Sequence, residues 1–323
     1  VRAFGIAAAA AIALLSLAGT PAAALDQVRL AQNQAPISAI SIIAKSKGFF
    51  EANGLDVTVA NFTTGKQCLD TVVGGGAEIA TTAESPTTAA AMAKTPIAFL
   101  ARTEYSDLKT LVATAAGIKT RADLKGKRIA YTAGTGSEVY TWTLLRSAKL
   151  ETGDVTLINL RPQEMAPALA AGGIDAYDTW EPHVINGKKA LGEKVDQLDT
   201  KGVYSETFNI VVMRDYAEKN PKVVRAFLKS LIEAEAWMKA NREETISIVA
   251  DFVHMKRDDL VPIWNDFVFE VTLDQKVIDI LKAHSTWRLA TGNAPPNATM
   301  PDFTTVLLTA PLKDVAPDRV RLP

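Results

Sequence analysis

From residue 25 onward the chain switches repeatedly between two hydrophobic periods. Leu55, Val57 and Val59 occupy every second position, the alternation of a half-buried strand. Val224, Phe227, Leu228, Leu231 and Met238 fall on one face of a helix. This pattern predicts strands at 28–31, 55–59, 77–81 and 97–101. Helices fall between them, from Ser38 to about Lys47, at 66–73 and at 86–93. Gly48 and the run Gly74-Gly75-Gly76 stop the first two helices. A strand–helix–strand series implies parallel strands joined by helical crossovers, hence an α/β fold.

A second series follows, with strands at 111–114, 128–131, 155–159 and 174–179 and helices at 137–149 and 163–171. Glu181-Pro182 opens a further helix, with proline in its first turn. The strand pattern returns at 209–213, and Asn220-Pro221 caps and opens the helix that follows. From there to about residue 284 the pattern reads as mostly helical, and the Pro-rich tail from Asn293 is expected to be irregular. The second series is flanked on both sides by segments that read as one unit. That implies two α/β lobes joined by a hinge the chain crosses twice. Lobe 1 takes residues 25–108 and 206–323, and lobe 2 takes 109–205. The cleft between them is the natural ligand site.

Residues 1–24 read as a secretory leader. Arg2 is its basic start, 3–19 its apolar run, and Pro21-Ala22-Ala23-Ala24 its small-residue junction, with cleavage expected after Ala24. The apolar run is shorter than the roughly 20 residues of a membrane span. A soluble periplasmic protein without membrane insertion is therefore expected, as a monomer. The formal net charge is −1. A nearly neutral chain carries no electrostatic footprint for nucleic acid. The single cysteine, Cys68, allows no disulfide within the chain and no thiolate cluster. It reads as a small buried apolar residue. His183, His254 and His284 show no ligand spacing and read as structural or surface residues. No metal site, no cofactor and no catalytic constellation is expected.

Several segments, in this order, resemble the nitrate/taurine/sulfonate class of ABC-importer periplasmic substrate-binding proteins. They are Ile43-Ala44-Lys45-Ser46-Lys47-Gly48-Phe49-Phe50-Glu51, Gly54-Leu55-Asp56-Val57, Gly75-Gly76-Ala77-Glu78-Ile79 with Ser85-Pro86, and Asp123-Leu124-Lys125-Gly126-Lys127-Arg128-Ile129-Ala130. Gly173-Ile174-Asp175-Ala176, Trp180-Glu181-Pro182 and Asn220-Pro221-Lys222-Val223-Val224 complete the set. The resemblance covers about residues 26–240. It implies the type 2 periplasmic-binding fold, closure around a small solute, and delivery to a membrane permease and its ATPase.

Ligands of open α/β sheets bind beyond the carboxyl ends of strands. The residues that follow the strands are therefore the candidates: Gln34, Ser38, Thr64, Gly65, Glu84 and Ser85 in lobe 1, and Thr135, Ser137, Glu138, Asp178, Trp180 and Glu181 in lobe 2. Several sit at helix starts, whose free N–H groups favour an anion. Ser38, Ser85 and Ser137 are also candidate helix caps. Trp180 offers a flat apolar wall and one donor. Tyr204 is a candidate rim residue. The Gly134-Thr135-Gly136 loop lacks the third glycine of a dinucleotide fingerprint and the Gly-Lys-Ser/Thr ending of a P-loop.

The acids depart from the anion-binding members, which tend to carry Ser or Gly where this chain has Glu84. Several carboxylates at one cleft repel a bare anion unless Lys66, Arg102 or Arg161 pairs them. The residues therefore point to a taurine-like zwitterion or an amine-bearing heterocycle. Two other readings stand beside transport binding. One is an enzyme on the same fold, pyrimidine-synthase-like, although those synthases carry a cysteine-rich run that this chain lacks. The other is a sensor subunit that presents its ligand to a receptor.

Overall fold

A computed structural model describes residues 24–322. Apart from Ala24, the predicted leader lies outside the described residues. The first strands in chain order are β1 (Asp26–Asn33), β2 (Leu55–Phe62), β3 (Ile79–Ala83) and β4 (Ile97–Asp107). They are followed by β5 (Lys109–Ala113), β6 (Arg128–Tyr131), β7 (Thr156–Asn159), β8 (Ala176–Thr179) and β9 (Val195–Gln197). The last are β10 (Ser205–Met213), β11 (Val268–Asp274) and β12 (Val320–Arg321). They form a seven-stranded sheet, ordered β12-β11-β4-β10-β3-β1-β2, and a five-stranded sheet, ordered β7-β6-β8-β5-β9. The chain passes from the first sheet to the second at Leu108 and returns through residues 198–204.

Both sheets are mixed: the strands of the first series run parallel as expected, and the antiparallel members are strands whose direction the pattern did not specify. β1 pairs in parallel with β2 and β3, but β10 inserts between β3 and β4 antiparallel to both. β5 likewise runs antiparallel to β8 and β9. The returning chain enters the larger sheet from the opposite end, so its strand runs against its neighbours. Phe208, Ile210, Val211 and Val212 of β10 are all buried, as a central strand covered on both faces requires. The helix Pro221–Ala240 covers one face and stacks Phe227 on Phe50 with ring centroids 5.0 Å apart.

Two further expectations are corrected. Residues 268–274, within the stretch read as mostly helical, form β11. The Pro-rich tail is not irregular throughout: it carries the helices Phe303–Val306 and Ala310–Val315 and ends on β12. Arg319 holds it by bonding the buried carboxylate of Glu235 at 2.6 Å. The capping serines also differ. Ser38 occupies an N-cap position without a capping bond, while the caps of the other two helices are Ala83 and Thr135. Ser85 and Ser137 each stand at the second helical position. Pro182 is itself the N-cap residue of His183–Leu191.

Ion pairs and a hydrogen bond join elements flanking the two sheets. Lys109 Nζ bonds Glu181 Oε1 at 3.0 Å and Asp266 Oδ2 at 2.5 Å. Lys189 pairs with Asp259, and Asn293 Nδ2 donates to Glu138 Oε1 at 3.5 Å. Among the described residues no helix is long and apolar enough to cross a membrane.

Candidate functional site

Where the two sheets face each other, a small cavity lies at the carboxyl ends of β1, β2, β3 and β8. Asn33, Thr64, Gly65, Lys66, Glu206 and Phe208 line it from the larger sheet, and Thr135, Gly136 and Trp180 from the smaller. Its volume is about 20 Å³. That is room for about one water molecule, so the walls must stand further apart to admit an organic solute. Two helices start at its edge, Gly65–Val73 and Gly136–Ser147. Their first-turn amides have no intrahelical acceptor, and their dipoles present positive ends. The glycines permit the close approach. A Cβ on Gly65 would lie 3.0 Å from backbone atoms of Thr82 and Ala83, and one on Gly136 would lie 3.0 Å from Glu206 Oε2.

The opposite chemistry lies beside these helix starts. Asn33 and Glu206 are 1% and 3% exposed, and each has a side-chain oxygen, Oδ1 and Oε1, without a hydrogen-bond partner. Behind Glu206 stand two more buried carboxyls. Glu84 accepts the hydroxyl of Tyr204, the backbone N–H of Thr207 at 2.6 Å and the Thr207 hydroxyl at 3.0 Å. Glu104 has no hydrogen-bond partner on either oxygen. Burial pushes all three carboxyls above the ordinary range. Around Glu84 the bonds from Tyr204 and Thr207 oppose the rise. Around Glu104 the charge of Glu84 adds to it while Ser106 and Arg102 oppose it. Around Glu206 both other glutamates add to it. The Tyr204 hydroxyl also lies 2.7 Å from His284 Nε2, and burial with nearby Arg288 lowers that imidazole to about 3. His284 is thus neutral and supplies no counter-charge.

The residues singled out from sequence divide into two groups. Thr64, Gly65, Thr135 and Trp180 line the cavity, and Glu84 lies just behind its wall. The others are engaged within the scaffold. Gln34 donates to the Phe252 carbonyl, and Ser38 lies buried 3.5 Å from the Thr81 hydroxyl. Ser85 takes the guanidinium of Arg288 on its hydroxyl and carbonyl. The Ser137 hydroxyl donates to the Asp178 carbonyl and accepts the Thr132 N–H. Glu138 accepts the Gly134 N–H. Asp178 accepts the hydroxyls of Thr110 and Thr141, each at 2.6 Å, and burial raises it to about 7. Glu181 holds Lys109 and caps the Ile185 N–H. Of the proposed counter-ions, Lys66 reaches the cavity but pairs with Asp70, Arg102 pairs with Glu270 and Asp274, and Arg161 pairs with Glu164.

Asn33, Glu104, Glu206 and His284 were not among the sequence candidates. For Asn33, Glu104 and Glu206 the signal was a polar residue in an otherwise apolar strand, whereas His284 lies on the helix Gln275–Thr291. The strands at 97–101 and 209–213 extend to Asp107 and back to Ser205, which places both glutamates in the sheet. Cys68 is buried and its thiol is pushed up to about 12, in keeping with a packing role. Among the described residues no three His, Cys, Asp or Glu side chains are arranged to hold a metal ion.

The family described as NMT1/THI5 like matches residues 35–245. A putative binding protein of Brucella abortus is 26% identical over 226 residues, 69% of this chain and 70% of its own length. The taurine-binding periplasmic protein of Escherichia coli is 30% identical over 196 residues, 60% of this chain and 61% of its own. The alkanesulfonate-binding protein SsuA of Xanthomonas axonopodis, solved bound to MOPS, superposes with a TM-score of 0.76 at 21% identity. That match covers 89% of this chain and all of that one. A desulfurization enzyme, DSZB, shares the fold with a TM-score of 0.67 at 16% identity, over 91% of this chain and 99% of its own. The fold is thus the mixed α/β, two-sheet type 2 periplasmic-binding fold, and the sequence resemblance is borne out.

Proposed function

The chain belongs to the NMT1/THI5-like family, and from that premise we propose that it is the periplasmic solute-binding component of an ABC importer, capturing a small solute that carries an amine nitrogen and passing it to the permease. The two units, 25–108 with 206–323 and 109–205, act as lobes that part to admit the solute and close over it. The observation that carries this reading is the pair of partnerless acceptors, Asn33 Oδ1 and Glu206 Oε1, lining a cavity between the two sheets. A buried acceptor without a donor costs about 1–3 kcal/mol, which a ligand N–H recovers. The helix starts at Gly65 and Gly136 suit an anionic group at the other end of the same molecule. A taurine-like zwitterion matches both ends. Trp180, 6% exposed and lining the cavity, favours an amine-bearing heterocycle as the second form of the ligand. The relatives' binding roles support capture rather than turnover.

The test is a thermal-shift panel of matched pairs, each an amine and its isostere without the nitrogen. Taurine is set against propane-1-sulfonate, β-alanine against butyrate, and 4-aminopyrimidine against 4-methylpyrimidine. A ligand at 100 times its dissociation constant raises stability by about 2.7 kcal/mol. The hit is expected in an amine member, with its isostere silent. Equal shifts for both members of the hit pair, or no hit among the amines, would sink the reading.

A further inference from the structure

Resting on that reading, we infer that Glu84, Glu104 and Glu206 together hold at least one proton in the closed cleft and release it when the ligand's cationic nitrogen seats, which makes the two strand glutamates determinants of which solutes are accepted. The geometry begins with register. Glu104 faces Phe208 across the β4–β10 pair, and Ser106 faces Glu206. The two glutamates are therefore diagonal neighbours on one face of the sheet, at a spacing of roughly 7–8 Å. Glu84 closes the group: its Oε1 and Glu206 Oε2 both lie within 4 Å of the point where a Gly136 Cβ would stand. All three carboxyls are 3% exposed or less. Three buried carboxyls so close cannot all ionise without a compensating charge.

The charged and titratable groups facing them from each packed element offset this only in part, the charge of Arg102 opposing the rise at Glu104. Arg102 on β4 bonds Glu270 and Asp274, and Arg288 on the helix Gln275–Thr291 bonds Ser85 and the Asn293 carbonyl. Lys66 on the helix Gly65–Val73 pairs with Asp70. His284 on the same helix as Arg288 is held neutral, and burial with the charges of Glu84 and Glu206 holds Tyr204 neutral. In the exchange a carboxyl O–H breaks, its proton passes to the buffer, and an ammonium N–H bonds the carboxylate left behind. A solute without the cation leaves the proton in place and gains no counter-charge.

The wild-type chain tests this without relying on a variant. Carboxyl-labelled glutamate, titrated by carbon NMR in the ligand-free chain, is expected to show signals ionising well above the ordinary range. Calorimetry with taurine and with methylammonium, each in two buffers of different ionisation heat, is expected to show about one proton released, and affinity should then rise up to tenfold per pH unit. Binding of either probe with no proton released, or glutamates that all titrate in the ordinary range, overturns the exchange and leaves the amine reading standing. Propane-1-sulfonate binding more tightly than both probes, with affinity that falls as pH rises, overturns both, because the carboxyls then act as donors to an anion. Failure of both probes to bind also overturns the exchange.

Discussion

Replacing Glu104 with glutamine should make the protein more stable at neutral pH and leave it almost unchanged in mild acid. Glu104 is 0% exposed, and neither of its oxygens has a hydrogen-bond partner. Its folded-state proton affinity is raised, chiefly by burial, above that of the unfolded chain. The unfolded carboxyl therefore loses its proton near its ordinary value while the folded one retains it. Between those two points the unfolded state gains about 1.4 kcal/mol for every pH unit, so stability falls as pH rises. The penalty from this one group therefore grows with pH for as long as the folded chain keeps the proton that the unfolded chain has lost. Glutamine does not titrate. Near pH 4.5 the comparison is between a protonated carboxyl and an amide of the same shape, both lacking partners, and the difference should stay within about 1 kcal/mol. Urea unfolding followed by circular dichroism at pH 4.5, 6 and 7.5 reads the difference directly. A stability gain that widens with pH is expected. A variant less stable than the wild type at pH 7.5, or a difference that does not change with pH, refutes the reasoning.

Asp178→Asn should remove a similar slope from the smaller sheet, confined to the window between about 4 and 7, because burial raises Asp178 to about 7; hydrogen exchange of β8 amides across that window checks it. Lys109→Met leaves the carboxylate of Glu181, 5% exposed, without its cation and should cost about 3–5 kcal/mol in urea unfolding. Gly65→Ala places a Cβ 3.0 Å from the backbone of Thr82 and Ala83 and should lower stability by about 1–3 kcal/mol, measured the same way.

The fold was largely legible because hydrophobic period reports burial directly. The two strand–helix series, the insertion of one in the other, and the helix at 221–240 all follow from it. What the period could not show was direction. Nothing local to 205–213 says that this strand runs against both β3 and β4, because that depends on where the chain re-enters the sheet. β11 was legible in principle, since the apolar positions Phe269, Val271 and Leu273 alternate with Glu270 and Thr272. Its neighbours Ile263 and Trp264 and the helix from Gln275 masked the change of period. The tail is ordered by a distant partner, the Arg319–Glu235 pair, which no local pattern records.

At the site, the loops after strands were readable and brought Thr64, Gly65, Thr135 and Trp180 to the cavity. The electrostatics were only half readable. Glu84 was visible because it follows a strand. Glu104 and Glu206 lie inside strands, where alternation alone assigns a charged side chain to solvent. Only the pairing of β4 with β10 turns both onto one buried face. Conversely the sequence assigns Asp178, Glu138 and Glu181 to cleft loops, yet Asp178 lies in β8 and Glu138 in the helix Gly136–Ser147, and hydroxyls, a backbone amide and Lys109 engage the three within the scaffold.

The most direct test of an amine-selecting cleft is calorimetric titration of the panel's amine hit into the wild-type chain and into Glu206→Gln at one pH. Removing one partner of a buried charge pair costs about 2–5 kcal/mol, so the variant should bind roughly 30-fold to several thousand-fold more weakly, with its fold intact by circular dichroism. Affinities within threefold of each other would contradict a role for Glu206 in holding the ligand and, with it, the cationic character of the solute.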